Sequence, residues 1–509
     1  MSSDDASFNH ILERERGLRR TLSARRITMI AIGGAIGTGL FLGSGFAISL
    51  AGPAVLISYA IGAVIALLLM GCLAEMTVAH PTSGSFGAYA EYYLGPLAGF
   101  LVRYAYWTSI VLAVGTEVTA IALYMQYWFA GTPGWPWIVA FAGLLIGVNA
   151  RSVNVFGAVE YTLSAIKVTA IVIFIVLASY FVWHAPAALA GASAAVTAGT
   201  GSQLATSAGF HNYTAYGGFF PKGVWGAWVA VLVAIFSYLS IEMIAVAAGE
   251  AAEPEVAITR AFRSTVVRLI LFYLLTLALV LAIVPWPSAG IDESPFVKVM
   301  RAVHVPGAAG VFNFVILAAA LSAMNSQLYI TTRMMFSLSR AGDAPRRFGV
   351  LNARGVPLQA LLLSSIGIAL AVVLSVLAPK SAFILMVAIS SFGAMFTWMM
   401  IFVTHYAFRT VRAASGAPPP RFRMRGFPAT TLLGAALMAA VLLTTAFTSA
   451  FRMTLVFGLP FIAILSLIYL LRYRRHPPHH QGGVSSSSGG RLLYGAARPN
   501  VMGVPRTRE

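Results

Sequence analysis

Charge is what this chain has least of. Only 10% of its 509 residues are Asp, Glu, Lys or Arg, against about 25% in an average soluble domain, which excludes a water-soluble globule. Acids are scarcest, 16 against 34 basic residues for a formal net charge of +18. That excess would fit nucleic acid, but the basic residues fall in short segments between apolar runs, so no nucleic-acid partner is expected. Cysteine is represented by Cys72 alone, within an apolar run, which excludes an intrachain disulfide. No H-E-x-x-H occurs, and most of the nine histidines lie in loops or tails. With no nucleophile–base set or ligand cluster in view, neither an enzyme nor a metal or other cofactor is expected. The polar start, with Asp4, Asp5, Glu13 and Glu15 among arginines, leads into no short apolar core with a cleavage site, so no cleaved signal peptide is expected.

What is present is apolar sequence: 59% of residues are hydrophobic and the mean hydropathy is +0.81. A bilayer-spanning helix needs about 20 apolar residues. That length predicts twelve spans, near 27–49, 53–79, 98–129, 134–150, 157–183, 224–249, 264–286, 307–337, 357–378, 380–408, 428–448 and 452–472. Arginines crowd the tail before span one (Arg14 to Arg26) and the connections after spans six, eight, ten and twelve. The opposite connections hold only Lys222, Lys298, Arg301, Lys380 and Arg452. The asymmetry predicts a multi-pass protein with both termini in the cytoplasm. The expected organisation is a cytoplasmic tail (1–26), a ten-helix core (27–408), a Pro-rich cytoplasmic linker (409–427), helices 11 and 12 (428–472) and a disordered tail (473–509) in reach of anionic lipid. Residues 185–223 read as an external loop whose Ala/Gly/Ser/Thr-rich first half is flexible linker.

The first span is broken in its middle by Gly33, Gly34, Gly37 and Gly39. Glycine weakens helices, and irregular backbone within a membrane is tolerated only where protein buries it or it lines a cavity. Five spans later, Phe236-Ser237-Tyr238-Leu239-Ser240-Ile241-Glu242 interrupts span six with polar residues. Matching interruptions in two five-helix halves point to an inverted repeat with a site at its interface, leaving helices 11 and 12 peripheral. The predicted fold class is therefore an all-α membrane protein of twelve transmembrane helices, a five-plus-five inverted repeat with broken helices 1 and 6 plus two peripheral helices.

An ordered series of motifs carries a family resemblance. It runs from Thr28-Met29-Ile30 through Gly37-Thr38-Gly39-Leu40-Phe41, Leu73-Ala74-Glu75-Met76 and Pro81-Thr82-Ser83-Gly84-Ser85-Phe86. Glu160-Tyr161, Lys167-Val168, Gly249-Glu250 to Glu253-Pro254 and Ile258-Thr259-Arg260-Ala261 continue it. Ser294-Pro295-Phe296, Ser322-Ala323-Met324-Asn325-Ser326 and Thr332-Arg333 complete it. From about Gly17 to Arg475 the chain resembles bacterial amino-acid permeases of the amino acid–polyamine–organocation superfamily, in its amino acid transporter family. The resemblance implies a secondary active transporter importing an amino acid across the bacterial inner membrane by proton symport and alternating access. A monomer surrounded by lipid is expected; the alternative is an amino acid/amine exchanger not coupled to protons.

Freed amides at a half-helix N-terminus suit a carboxylate. The resemblance implies that Ile36, Gly37, Thr38 and Gly39 bind the substrate's carboxylate; close helix crossing through small residues would also explain the glycines. Phe236, Ser237, Tyr238, Ser240 and Ile241 would supply the facing half of the site, or Phe236, Tyr238 and Ile241 simply pack the core. Glu242, an ionisable group in mid-span, is costly unless paired or wet; it would brace the unwound segment, meet the substrate's amine or carry a proton. Lys167 is the first coupling candidate, because the resemblance places a lysine there where sodium-coupled relatives hold an ion; a helix-end lysine reaching the interface is its plainer reading. Glu117, deep in span three, is either a second proton carrier or a structural acid. Glu75 reads as a gate or a structural pair, and Asn325 with Ser322 and Ser326 as a helix-gluing face. The absence of a spare acid in spans eight and ten disfavours a cationic substrate and favours a neutral or aromatic amino acid, proline or γ-aminobutyrate.

Overall fold

A computed structural model describes residues 36–184, 209–248, 269–290, 293–302, 306–378 and 381–475, together with 8, 10, 11, 13, 14, 255, 256, 258, 259 and 262. Gly33, Gly34, Arg260, the segment 249–254, the Ala/Gly/Ser/Thr-rich stretch 185–208 and the tail from 476 onward lie outside the described residues.

The described chain is helical, with no strand among its residues. Apolar sequence in lipid has no water for its amides, and a helix satisfies them within one segment. A π-helical turn, Gly39–Gly43, leads into α1 (Ser44–Ala51). There follow α2 (Val55–Ala79), α3 (Ser85–Leu94), α4 (Pro96–Gln126), α5 (Trp135–Arg151) and α6 (Val153–His184). Next come α7 (Gly223–Tyr238), α8 (Met243–Ala248), α9 (Thr276–Ile283), α10 (Pro295–Ala302) and α11 (Ala308–Arg340). The series closes with α12 (Leu358–Ser364), α13 (Ile366–Leu377), α14 (Ala382–Ala414), α15 (Ala429–Thr444) and α16 (Arg452–Arg475). Among the described residues nine helical stretches are long and apolar enough to cross a membrane, and Trp135–Arg151 and Leu271–Ile283 are shorter apolar helices. The first stretch, Gly39–Ala79, includes both α1 and α2 and turns at Gly52–Ala54.

Burial separates centre from edge. The apolar window of Gly223–Ala247 is 100% buried and that of Pro96–Gln126 is 83% buried, whereas Ser449–Arg472 is 17% buried. So α7 and α4 form the axis of the bundle. Val172, Ile173 and Val176 on α6, and Ile464, Leu467 and Leu471 on α16, turn large apolar side chains outward, as a lipid-facing surface requires. Helix α4 is the hub, packed against α11, α14 and α13.

Described residues in two connecting regions pack against the bundle. In the second half of the expected external loop, Asn212 Nδ2 donates to Ala282 O at 3.0 Å and Tyr213 Oη to Ala278 O at 2.6 Å. Near the start of the chain, Phe8 is buried and stacks on His80 at 4.3 Å. Arg14 there makes a two-pronged bond to Glu91 of α3, at 2.9 and 2.7 Å. Arg103 of α4 reaches the same carboxylate at 2.7 Å. Burial alone would raise the Glu91 carboxyl, but Arg103 and Arg14 outweigh it and pull the group from 4.5 down to about 2.

Candidate functional site

The two interruptions face each other. Ile36 and Gly37 form a bend, and regular α-helix begins only at Ser44, after the π-turn. On the other side α7 ends at Tyr238; Leu239 turns to an extended ψ of 156°, and Ser240 takes the left-handed region at φ 73°. Helix resumes in α8. A β-carbon on Gly39 would stand 2.7 Å from Ser237 Cα, so the absent side chain is what lets the first break lie against the second. The close-crossing reading of Gly39 therefore holds, alongside any role of the freed amides.

Two buried ionisable side chains close on Ile36 to Thr38. From α6, Lys167 Nζ donates to Ile36 O at 2.9 Å. From α4, Glu117 Oε2 accepts from Thr38 N at 3.3 Å. Lys167 is fully buried and Glu117 is 4% exposed. An ammonium therefore tethers a freed carbonyl and a carboxyl occupies a freed amide, with Gln327 of α11 beside Glu117. The helix-end reading of Lys167 does not describe this placement.

Glu242 stands apart from that pair. Its Oε1 accepts from Tyr106 Oη at 2.7 Å and from the Ser240 amide at 3.1 Å, and its Oε2 accepts from Trp398 Nε1 at 3.1 Å. Tyr106 precedes Glu117 on α4 by eleven residues, about 16 Å at 1.5 Å per residue. Glu242 thus braces the second break against α4 and α14.

The remaining expected residues are all buried. Ser237 Oγ shares a hydrogen bond with Tyr59 Oη at 2.9 Å, and its carbonyl accepts from Tyr273 Oη at 3.0 Å. Tyr238 Oη donates to Tyr59 O at 2.9 Å, so Tyr238 is turned toward α2. Phe236 is 7% exposed, Ile241 is fully buried, and the buried hydroxyl of Ser240 has no hydrogen-bond partner among the described residues. The geometry gathers Ile36, Gly37, Thr38, Gly39, Ser237, Glu117 and Lys167 into one place. A cavity of about 430 Å3 lies elsewhere on α4, between Thr119, Gln126, Trp135, Val376 and Phe383.

Glu160 is the buried acid that reading by position passed over. Seven residues before Lys167, two turns along α6, it accepts from Ser322 and Ser164 through Oε1 and from Asn325 Nδ2, at 3.0 Å, through Oε2. Asn149 of α5 in turn donates to Asn325 Oδ1 at 2.8 Å. The signal was available: an acid and a lysine on one face of an apolar helix, opposite a polar face on span eight. Glu75, fully buried on α2, takes a tight ion pair from Arg409 Nε at 2.7 Å and also bonds His405 and the Met424 amide. Among the described residues no group of three or more His, Cys, Asp or Glu side chains could hold a metal ion.

The family model described as amino acid permease matches residues 26–481. The chain belongs to the amino acid permease family. The γ-aminobutyric acid permease of Bacillus subtilis (strain 168) is 37% identical over 462 residues, covering 91% of this chain and 95% of that protein. A putative histidine permease of the same organism is 36% identical over 455 residues, covering 89% and 93%. The amino-acid permease RocC of that organism is 36% identical over 462 residues, covering 90% and 95%. Membership makes this a multi-pass membrane permease, acting on a small amino-acid substrate, and not an enzyme.

Proposed function

We propose that this permease imports an amino acid by proton symport, alternating access around the two facing breaks. It works as a monomer in the bacterial inner membrane with both termini in the cytoplasm. Its twelve spans form a five-plus-five inverted repeat, with helices 11 and 12 outside the repeat. The observation that carries the reading is the arrangement at Ile36 to Thr38: freed backbone from one break, packed on the other, is held between Lys167 and Glu117. Backbone amides recognise the carboxylate common to all amino acids, and a basic and an acidic group within the fold supply sites for a proton. Of the similar permeases, the one named for γ-aminobutyric acid accords with a neutral or zwitterionic substrate.

The test is uptake into proteoliposomes of a labelled panel: proline, γ-aminobutyrate, histidine and the aromatic amino acids, with an imposed proton gradient. Saturable accumulation that collapses on adding a proton ionophore is expected, with Lys167→Ala losing accumulation while retaining exchange. Net uptake indifferent to the ionophore would instead establish the exchanger, and linear uptake a channel.

A further inference from the structure

The amide that the first break offers to a carboxylate is already held by one from within the protein. Thr38 N–H donates to Glu117 Oε2 at 3.3 Å, across two helices and 79 positions of sequence. Glu117 reaches it over Gly37, where a β-carbon would stand 2.7 Å from Oε1 and 2.8 Å from Ala323 Cβ. Gly37 therefore does more than free backbone: its bare Cα is the seat of the Glu117 carboxyl. We propose that Glu117 is a resident competitor of the substrate's own carboxylate, the two taking the Thr38 amide by turns, so that substrate arrival displaces Glu117. This rests on the reading of residues 36–39 as the carboxylate cradle.

The competition has a consequence for proton coupling. Two carboxylates around one amide repel, and in a buried site that repulsion is weakly screened. Binding of the substrate carboxylate and protonation of Glu117 therefore assist one another, and linkage makes the assistance reciprocal. The groups facing Glu117 are Thr38 from the first break, Lys167 from α6, Gln327 from α11 and Tyr124 from its own helix. Of these Lys167 is the basic one, and its Nζ is bonded to Ile36 O. Glu160 is the next acid, held by Ser322, Asn325 and Ser164 behind Lys167.

The full chain, purified in detergent, is screened by thermal shift against each of the twenty protein amino acids and γ-aminobutyrate. The compound giving the largest shift is then titrated calorimetrically, at two pH values and in buffers of different ionisation enthalpy. Wild-type protein is expected to take up a proton on binding and to bind more tightly at the lower pH. Glu117→Gln and Glu117→Ala are expected to bind about tenfold more tightly, a 1.4 kcal/mol change, and to lose both the proton uptake and the pH dependence. Wild-type binding without proton uptake overturns the proposal whether or not the variants fold. So does weaker or unchanged affinity in variants that still melt cooperatively. If no compound on the panel stabilises the wild type, the cradle reading itself fails.

Discussion

At Gly39 a β-carbon would press on Ser237 Cα, a backbone atom with no rotamer to relieve it, so Gly39→Ala should depress uptake strongly and Gly39→Leu abolish it. Both proteins should still reach the membrane, because the apolar windows that drive insertion are untouched. Gly143→Ala is the matched control. Among the described residues nothing lies within 4 Å of its would-be β-carbon, and a mid-helix glycine costs about 0.5–1 kcal/mol relative to alanine, so uptake should be unchanged and the melting temperature slightly higher. Glu91 makes a different claim at the same scale. Its carboxyl is depressed from 4.5 to about 2, so its stabilising contribution is present above pH 4.5 and is lost as pH falls toward 2. Melting curves of wild type and Glu91→Gln should therefore differ at neutral pH and converge below pH 4.5; a constant gap would refute the assignment.

Among the elements, the α7–α8 break shows best what sequence can and cannot convey. Polar residues interrupting span six marked the position, and Glu242 stood out because a mid-span acid needs partners. Its partners were not legible, since Tyr106 and Trp398 lie 136 and 156 positions away on helices that only the fold brings near. The bracing geometry predicts that Glu242→Gln leaves one of the donors Tyr106, Trp398 or Ser240 N–H unsatisfied, at a cost of about 1–3 kcal/mol. A lower melting temperature with impaired uptake is expected; unchanged stability would count against the brace. The pairing of Lys167 with Ile36 was not legible, because carbonyls carry no sequence signal. Glu160 was missed for a related reason: Ser322 and Asn325 read as ordinary helix glue until the acid they hold faced them.

For the whole molecule, the expected organisation ends the ten-helix core at 408 and leaves helices 11 and 12 (428–472) outside the repeat; among the described residues the least buried apolar window, Ser449–Arg472, lies beyond that point. The helix that crosses this point is continuous, however: α14 runs on to Ala414. Arg409 sits just past it and, with the Met424 amide, is spent on Glu75 of α2. A seam drawn at 408 would therefore cut through the fastening of an early helix. A chain stopped there keeps His405 but leaves Glu75 buried without its guanidinium, and orphaning one partner of a buried ion pair costs about 3–5 kcal/mol. Such a fragment is expected to be recovered poorly or aggregated on size-exclusion chromatography, while a chain stopped after Arg475 elutes and transports as the full protein does. For anyone dividing this permease, whether to trim it, split it or append a reporter, the safe place is beyond α16 and not at the boundary that composition alone suggests.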